Sequence, residues 1–274
     1  MPELPEVETV RRTLKQLVLN KTISHVTVHW GNIIKKPADP ERFGQVLIGQ
    51  SVRDIHRRGK FLIFQLDELS LVSHLRMEGR YGLFEQHDQL QPHTHVLFTF
   101  TDGTELRYQD VRKFGTMHIF QKGKEEEELP LSQLGVEPFS KEFTIELMQT
   151  VFERTNRAVK AVLLDQKLVV GLGNIYVDEA LFRAKLLPTR LASSIQGQEL
   201  QLLHKAIVET LKEAVELGGS SIKSYVNGQG EMGMFQQQLA VYGRKDEPCV
   251  SCGTVISKKV VAGRGTHYCV NCQK

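Results

Sequence analysis

The spacing of apolar residues changes along the chain from helical to extended and back again. Leu4, Val7, Val10, Leu14 and Leu17 recur every three or four residues, which predicts a helix over residues 3–18. Between about residues 22 and 121 the apolar period falls to two, as is typical of half-buried strands. The predicted strands are 24–30, 51–56, 60–66, 71–75, 95–101, 105–109 and 116–121. Short strands in this number predict an antiparallel sandwich or barrel.

A stretch rich in Gly, Glu, Pro and Ser at 122–138 interrupts this alternation, and the period beyond it is helical again. The predicted helices are 142–154, 159–164, 175–184 and 198–217, and the predicted loop is Asn227–Gly233. The chain is therefore expected to have an α+β fold. Its expected parts are a β domain (1–130), a linker (131–140), a helical domain (141–238) and a cysteine-containing segment (239–274).

Composition and charge narrow the class of protein. The chain has 274 residues, 41% of them hydrophobic, which is enough for a real core and suits two domains. No apolar run approaches the ~18 residues of a membrane helix, and the acidic start is unlike a secretory signal, so we expect a cytoplasmic protein. The net charge is +3, and basic residues exceed acidic ones in 241–274. Such segregation suits a surface that faces a polyanion, although on charge alone an ordinary solvated surface explains it better.

All four cysteines lie near the end of the chain, as two Cys-x2-Cys pairs separated by sixteen residues: Cys249, Cys252, Cys269 and Cys272. This spacing is typical of a four-thiolate zinc site, and because no coordination position stays open the single Zn²⁺ would be structural. Residues 255–268 predict a two-stranded hairpin with Gly263-Arg264-Gly265 at its tip. Two disulfides or idle thiols are the alternative, which suits a reducing compartment less well.

The start of the chain offers a candidate nucleophile. If Met1 is removed, Pro2 carries a secondary α-amine, whose reference pKa of about 8 lies well below that of lysine. Such an amine attacks carbon at the aldehyde level, such as C1′ of a sugar, and Glu3 and Glu6 lie within one helical turn to carry protons. The alternative is an ordinary helix start with acids matched to the helix dipole, and the local pattern alone favours it.

Three motifs in the same order resemble those of bacterial formamidopyrimidine-DNA glycosylases. They are the opening Pro2-Glu3-Leu4-Pro5-Glu6-Val7-Glu8, the run Gly171-Leu172-Gly173-Asn174-Ile175-Tyr176, and the terminal four-cysteine hairpin with Gly263-Arg264-Gly265-Thr266. The resemblance spans essentially the whole chain. It implies a monomeric base-excision repair enzyme that removes oxidised purines, chiefly 8-oxoguanine and formamidopyrimidines, from double-stranded DNA and then cleaves the strand as an AP lyase.

The implied fold is an N-terminal antiparallel β-sandwich with a flanking helix, followed by a helix–two-turn–helix domain with a zinc-ribbon hairpin and a basic cleft for DNA. Pro2 would be the nucleophile that forms an imine with C1′, Glu3 the acid/base residue and Glu6 a supporting carboxylate. Lys60 would lie near the damaged nucleotide. Arg264 would grip phosphate; the proton-donor role in δ-elimination that the resemblance also implies suits an arginine less well, because arginine stays charged.

The resemblance also implies residues that hold DNA. Met77, Arg112 and Phe114 would fill the void left by the everted nucleotide, and the polar, turn-like sequence around the last two argues against the alternative of a core position. The other expected contacts with the DNA backbone are His74, His93, Lys160, Asn174 and Lys258. The loop at 227–233 would close over the everted base, or be a plain disordered loop.

Three positions depart from the expected family pattern, namely Gly31, Val136 and Lys185, where we expect Pro, Pro and Gly. They bear on loop rigidity and stability. Two other functions stay open. An endonuclease VIII-like enzyme for oxidised pyrimidines would share the fold and the N-terminal proline, and a non-catalytic zinc-ribbon DNA-binding protein would share the cysteines. Leu4 and the three void-filling residues favour the purine enzyme, and a mere binding protein leaves Pro2-Glu3 unexplained.

Overall fold

The computed structural model describes residues 1–220 and 233–274, which form two compact units. Within the described residues, the first unit comprises 1–2, 6–133 and Gly233, and the second comprises 3–5, 134–220 and 234–274. The loop predicted at 227–233 therefore lies outside the described residues except for its last glycine. Within these ranges, no helix combines the length and apolarity needed to cross a bilayer.

The first unit is a β-sandwich with two helices. Its elements are α1 (Leu4–Val18, which begins in the second unit), β1 (Ile23–Val28), β2 (Ile34–Lys36), α2 (Pro40–Leu47), β3 (Asp54–Arg58), β4 (Phe61–Gln65), β5 (Leu69–His74), β6 (Arg80–Glu85), β7 (Thr94–Phe100), β8 (Thr104–Gln109) and β9 (Thr116–Gln121). One sheet has the order β1-β7-β8-β6 and the other β2-β9-β5-β4-β3. All the pairings are antiparallel except that of β2 with β9. One apolar core joins both sheets, α1 and α2, as expected for a sandwich.

Several predicted boundaries need correction. The strand predicted at 51–56 is β3, and Ser51 makes only an isolated bridge to Thr22. Lys60 lies in the turn before β4 and not in a strand, because the left-handed Gly59 turns the chain there. Helix α2 and strands β2 and β6 were not predicted. The signal for α2 was present, since the Asp39 side chain accepts the Glu41 N–H at 2.9 Å and a proline follows the cap.

The first part of the stretch at 122–138 is packed rather than free. The buried Glu125 accepts a hydrogen bond from Gln65 at 2.7 Å and another from the Gly123 N–H at 2.8 Å, and Leu131 is buried. The acidic run therefore contains one carboxylate with a fixed structural position. Residues 122–133 belong to the first unit, because this carboxylate anchors them to β4.

In the described residues, the second unit contains four α-helices and one hairpin. Its elements are α3 (Ile145–Glu153), α4 (Val159–Leu164), α5 (Asn174–Arg183), α6 (Gly197–Glu216), β10 (Ser257–Val261) and β11 (Arg264–Tyr268). Helix α5 packs against α4 and α6 and against β11. The tip of the hairpin is Ala262-Gly263, and both residues have positive φ, as in a two-residue type I′ turn. Arg264 is consequently the first residue of β11, paired with Val261, and not part of the tip.

The three departures from the expected pattern have simple local settings. Lys185 adopts φ +60° just after α5, which is the left-handed position where a glycine is favoured. Val136 makes a parallel bridge with Val169. A Cβ on Gly31 would lie 2.8 Å from the Pro40 ring, so a side chain at this position would crowd the start of α2.

Candidate active site and metal centre

The carboxylate of Glu3 is seated at the N-terminus of α5. Its Oε2 accepts the N–H of Gly173 at 2.6 Å and that of Tyr176 at 3.3 Å, and its Oε1 accepts the N–H of Ile175 at 2.9 Å. These donors belong to the first turn of the helix, which has no side-chain cap of its own. The positive end of the helix and three hydrogen bonds favour a carboxylate anion at this position and fix the Glu3 side chain in one orientation.

Two glycines make this seat possible. The Gly171 carbonyl accepts the Leu4 N–H at 3.0 Å, and φ at Gly171 is +93°. A Cβ on Gly173 would lie 2.3 Å from Cδ of Glu3, although its backbone, with φ −127°, is open to any residue. Glycines at these two positions allow a close approach to the backbone. The partner in the structure is the chain's own Glu3-Leu4 segment.

The other predicted catalytic residues lie in the first unit, apart from Arg264. Pro2 directly precedes Glu3 and is buried, while Met1 is exposed. Glu6 is buried in the first turn of α1, and the buried Lys60 side chain lies in the turn between β3 and β4. Nucleophilic chemistry at Pro2 requires a free amine, and peptide-bonded Pro2 has none.

His74 is a neutral imidazole with a defined tautomer. Its Nδ1 accepts the Arg76 N–H at 2.8 Å, and its ring meets Phe61 edge-on at 4.4 Å. Burial first, and then the charges of Arg76 and Lys60, lower the pKa of His74 to about 3. Because Nδ1 is an acceptor, Nε2 carries the proton and is the nitrogen that can donate to a phosphate. His93 is exposed and has φ +62°.

A single buried carboxylate organises the loop that carries Arg112 and Phe114. Asp110 Oδ1 accepts the Arg112 N–H at 3.0 Å, and its Oδ2 accepts those of Phe114 and Gly115 at 2.9 and 2.8 Å. The guanidinium carbon of Arg112 lies 4.8 Å from the Phe114 ring centre. Phe114 is 51% exposed and Met77 is 38% exposed, so neither is a core residue, as the polar neighbouring sequence indicated for Phe114. Exposed large apolar side chains on ordered loops are typical of binding surfaces.

Lys160 does not have the solvent-facing position that a phosphate contact requires. Its side chain is fully buried, and Nζ donates to Asp178 Oδ1 at 2.6 Å and to Thr266 Oγ1 at 2.8 Å. Burial lowers its pKa, and the Asp178 carboxylate opposes that shift. The expectation of a DNA contact is therefore revised: this ammonium is committed to joining α4, α5 and β11.

The remaining predicted DNA contacts lie around the hairpin and the start of α5. Arg264 and Lys258 are exposed on the hairpin. The Asn174 amide Nδ2 donates to the Gly265 carbonyl at 2.9 Å, so this side chain ties α5 to β11.

Three buried carboxylates that hold neighbouring segments in place were not predicted from the sequence, namely Asp110, Asp178 and Glu179. Glu179 accepts the backbone N–H groups of Ala240, Val241 and Tyr242 at 2.8–3.0 Å, and burial raises its pKa. A signal existed for the two in α5, because Asp178 and Glu179 lie within an apolar helical stretch where solvation is not available.

The four cysteine sulfurs form one cluster of the right size for a tetrahedral ion. All four Sγ atoms lie within 4.8 Å of one another, with separations of 3.8 Å for Cys249–Cys272 and 3.5 Å for Cys252–Cys269. A tetrahedral Zn²⁺ with Zn–S bonds of about 2.3 Å places its sulfurs about 3.8 Å apart. The sulfurs of Cys249 and Cys269 also lie close to the backbone N–H groups of Ser251 and Cys272, at 3.4 Å. The donor set therefore fits a closed, structural zinc site.

Comparison with known proteins finds family models that match three parts of the chain. Residues 1–117 match the formamidopyrimidine-DNA glycosylase N-terminal domain, and residues 134–226 match the formamidopyrimidine-DNA glycosylase H2TH domain. Residues 246–274 match the zinc finger found in FPG and IleRS. The predicted α+β fold is thereby confirmed, and so is the prediction that the four cysteines hold one structural Zn²⁺.

Relatives match over the full length. A formamidopyrimidine-DNA glycosylase of Cytobacillus firmus is 68% identical over 273 residues and covers 100% of both chains. That of Bacillus subtilis strain 168 is 60% identical, covering 100% of this chain and 99% of the relative. A Lactococcus lactis Fpg, solved with DNA that contains an abasic site, has a TM-score of 0.93 at 39% identity and covers 99% of each chain. The chain therefore belongs to the formamidopyrimidine-DNA glycosylase family.

Proposed function

We propose that this chain excises oxidised purines from double-stranded DNA and then cleaves the strand by β,δ-elimination, through an imine on Pro2. The observation that carries the proposal is the seat of Glu3. A carboxylate fixed by three N–H donors stands next to the residue that becomes the N-terminal amine when Met1 is removed. Structures of the Lactococcus lactis Fpg with DNA that contains an abasic site, and of a mutant of that protein with DNA that contains Fapy-dG, support DNA as the partner.

The first half of the reaction forms the covalent bond. The neutral nitrogen of Pro2 attacks C1′, the C1′–base bond breaks, and the base leaves with the bonding electrons. Glu3 starts as a carboxylate, so it accepts the proton of the resulting ammonium. It then donates this proton to O4′ as the sugar ring opens, which leaves a positively charged iminium between Pro2 and C1′. The three N–H donors suit this order, because they stabilise the charge that Glu3 carries before and after the step.

The second half cleaves the strand. The iminium withdraws electrons and makes the C2′ proton acidic, so its removal expels the 3′ phosphate and a second elimination expels the 5′ phosphate. Cations that hold the phosphates assist both departures. We assign this role to Arg264 and Lys60, and to Arg264 as a phosphate ligand rather than a proton donor, because its guanidinium stays charged. We assign Glu6 the role of a supporting carboxylate in the first turn of α1, close to Pro2 in sequence.

Access to C1′ requires that the nucleotide leave the stack. We assign the filling of the resulting void to Met77, Arg112 and Phe114, which are held on ordered loops and exposed. The planar guanidinium of Arg112 can face the orphaned base. The proposed backbone contacts are His74 through Nε2, His93, Asn174 and Lys258. Zinc supplies no chemistry here, and the cysteines that bind it shape the hairpin that carries Arg264.

Borohydride trapping tests the proposal. The full-length protein is incubated with a duplex that contains 8-oxoguanine opposite cytosine, and the adduct is mapped to a residue by mass spectrometry. We expect an adduct on Pro2 in protein that lacks Met1, and its loss in Glu3→Gln. Glu41→Gln is the matched control, because Glu41 is an exposed acid in the first turn of α2.

The other possible outcomes separate the alternatives. An adduct on a lysine, or full activity in protein that retains Met1, would contradict the mechanism. Stronger trapping on a thymine-glycol duplex would indicate an endonuclease VIII-like specificity. Tight binding of DNA without any adduct would indicate a non-catalytic binding protein.

A further inference from the structure

The hydroxyl of Tyr108 lies between two glycines on different loops. Tyr108 is fully buried in β8. A Cβ built on Gly115 would lie 1.7 Å from its Oη, and a Cβ built on Gly79 would lie 2.3 Å from it. The oxygen therefore occupies the space that a side chain would need at either position. The turn at 75–79 and the loop at 110–115 therefore both pack against the Tyr108 hydroxyl.

Asp110 links the Tyr108 hydroxyl to the loop at 110–115. The Tyr108 hydroxyl donates to Asp110 Oδ2 at 3.3 Å, and the same oxygen accepts the Phe114 and Gly115 N–H groups at 2.9 and 2.8 Å. Burial and the neighbouring carboxylate raise the pKa of Tyr108 above its ordinary value, so the hydroxyl remains a donor across the working range of pH. One carboxylate thus fixes both the hydroxyl and the backbone of the loop.

The turn at 75–79 is closed by its own hydrogen bonds. The Gly79 N–H donates to the Leu75 carbonyl at 2.9 Å, and the Arg76 N–H donates to His74 Nδ1 at 2.8 Å. Met77 projects from this turn and is 38% exposed. The two loops that meet at the Tyr108 hydroxyl are therefore the ones that present Met77, Arg112 and Phe114.

We propose that Tyr108 is a positioning residue that holds the turn with Met77 and the loop with Arg112 and Phe114 in one arrangement. The inference rests on the proposed function, in which these three side chains fill the void beside the everted nucleotide. Loops that are ordered before binding lose less conformational freedom when they enter the duplex. A phenylalanine at position 108 keeps the ring but loses both the hydrogen bond to Asp110 and the oxygen between the glycines.

The test compares Tyr108→Phe with the wild-type full-length protein on two substrates. On the 8-oxoguanine duplex, we expect the single-turnover rate of excision to fall by about five- to tenfold, in line with the loss of one buried hydrogen bond. The fluorescence change of 2-aminopurine opposite a tetrahydrofuran site should be slower and smaller. Trapping at an abasic site in a single-stranded oligonucleotide should be unchanged, because a single strand has no orphaned base and no void to fill.

Tyr81→Phe is the matched control. Its buried ring packs 5.1 Å from that of Tyr108, but its hydroxyl donates to Ser73 at 2.8 Å, so the variant should keep wild-type values on both substrates. Unchanged excision and unchanged fluorescence in Tyr108→Phe would overturn the inference. Equal losses on duplex and single strand would also overturn it, since they indicate general damage to the fold. Failure of the proposed function is recognised separately, because the wild type itself would then form no adduct.

Discussion

Substituting Gly173 by alanine tests whether the proton transfers assigned to Glu3 depend on the position in which its carboxylate is held. The backbone at 173 has φ −127°, so an alanine is not strained there, and the three heavy atoms nearest its methyl group all belong to Glu3. That methyl would lie 2.3 Å from Cδ and 2.4 Å from Oε1 of Glu3. Because nonbonded carbon atoms pack at about 3.5–4.0 Å, the carboxyl must move by roughly 1 Å or more.

A shift of this size breaks hydrogen bonds. The contacts of Glu3 with the Gly173 and Ile175 N–H groups are 2.6 and 2.9 Å, and adding about 1 Å takes them beyond hydrogen-bonding distance. Losing one hydrogen bond to a charged group costs about 1.5–3 kcal/mol. If the loss acts on the transition state, the rate falls by about ten- to two-hundred-fold, since about 1.4 kcal/mol is a factor of ten.

The assay is single-turnover excision of 8-oxoguanine by Gly173→Ala, with thermal melting to verify folding. Gly44→Ala is the matched control. Gly44 is a buried helical glycine whose added Cβ would meet only an ordinary contact, 3.4 Å from the Val26 carbonyl oxygen, so the wild-type rate is expected. A wild-type excision rate in folded Gly173→Ala would refute the reasoning, because a displaced Glu3 would then be as effective as a seated one.

Three further results are expected. Asp178→Asn leaves the Lys160 ammonium buried without its counter-ion, so urea denaturation should show that the free energy of unfolding falls by about 3–5 kcal/mol. Adding Lys160→Met should recover most of this loss, and equal stability of the single and double variants would contradict the prediction. The depressed pKa of His74, about 3, means that the unfolded chain binds the proton first as pH falls below about 6.5. The free energy of unfolding should therefore decline between about pH 6.5 and pH 3, and this histidine contributes up to about 1.4 kcal/mol per pH unit to the decline. His74→Asn should flatten this part of the pH dependence, and an unchanged slope would count against the prediction. Removal of zinc by a chelator, or Cys249→Ser, should increase hydrogen exchange in 239–274 and weaken binding to duplex DNA, whereas undiminished affinity would exclude a role for the finger.

Local patterns were sufficient for much of the fold. The apolar stripe from Leu4 to Leu17 lies on a helix over Leu4–Val18, and the strand predicted at 116–121 has those bounds in the structure. The Cys-x2-Cys spacing predicted the metal site because both sulfurs of each pair come from one tight turn. Strand β6 was not predicted, because only one of its six residues is buried and the apolar alternation is weak there.

Two sites show where local pattern was not enough. The resemblance implied a DNA contact for Lys160, but its ammonium is buried against the counter-ion Asp178, which comes from another helix and which no local pattern indicates. Asp110 looked like one polar residue among several in a turn. Its importance comes from the four hydrogen bonds that it accepts, one of which comes from Tyr108 on β8.

The sequence by itself determined the helix and strand periods, the four thiolates and the identity of the residues that can do chemistry, since these depend on neighbours within a few positions. Only the tertiary structure decided what each of those residues faces. The carboxylate of Glu3 meets N–H groups about 170 residues away along the chain, and Lys160 meets Thr266, 106 residues further along. Such contacts form because buried charges must find donors wherever the packed core brings them.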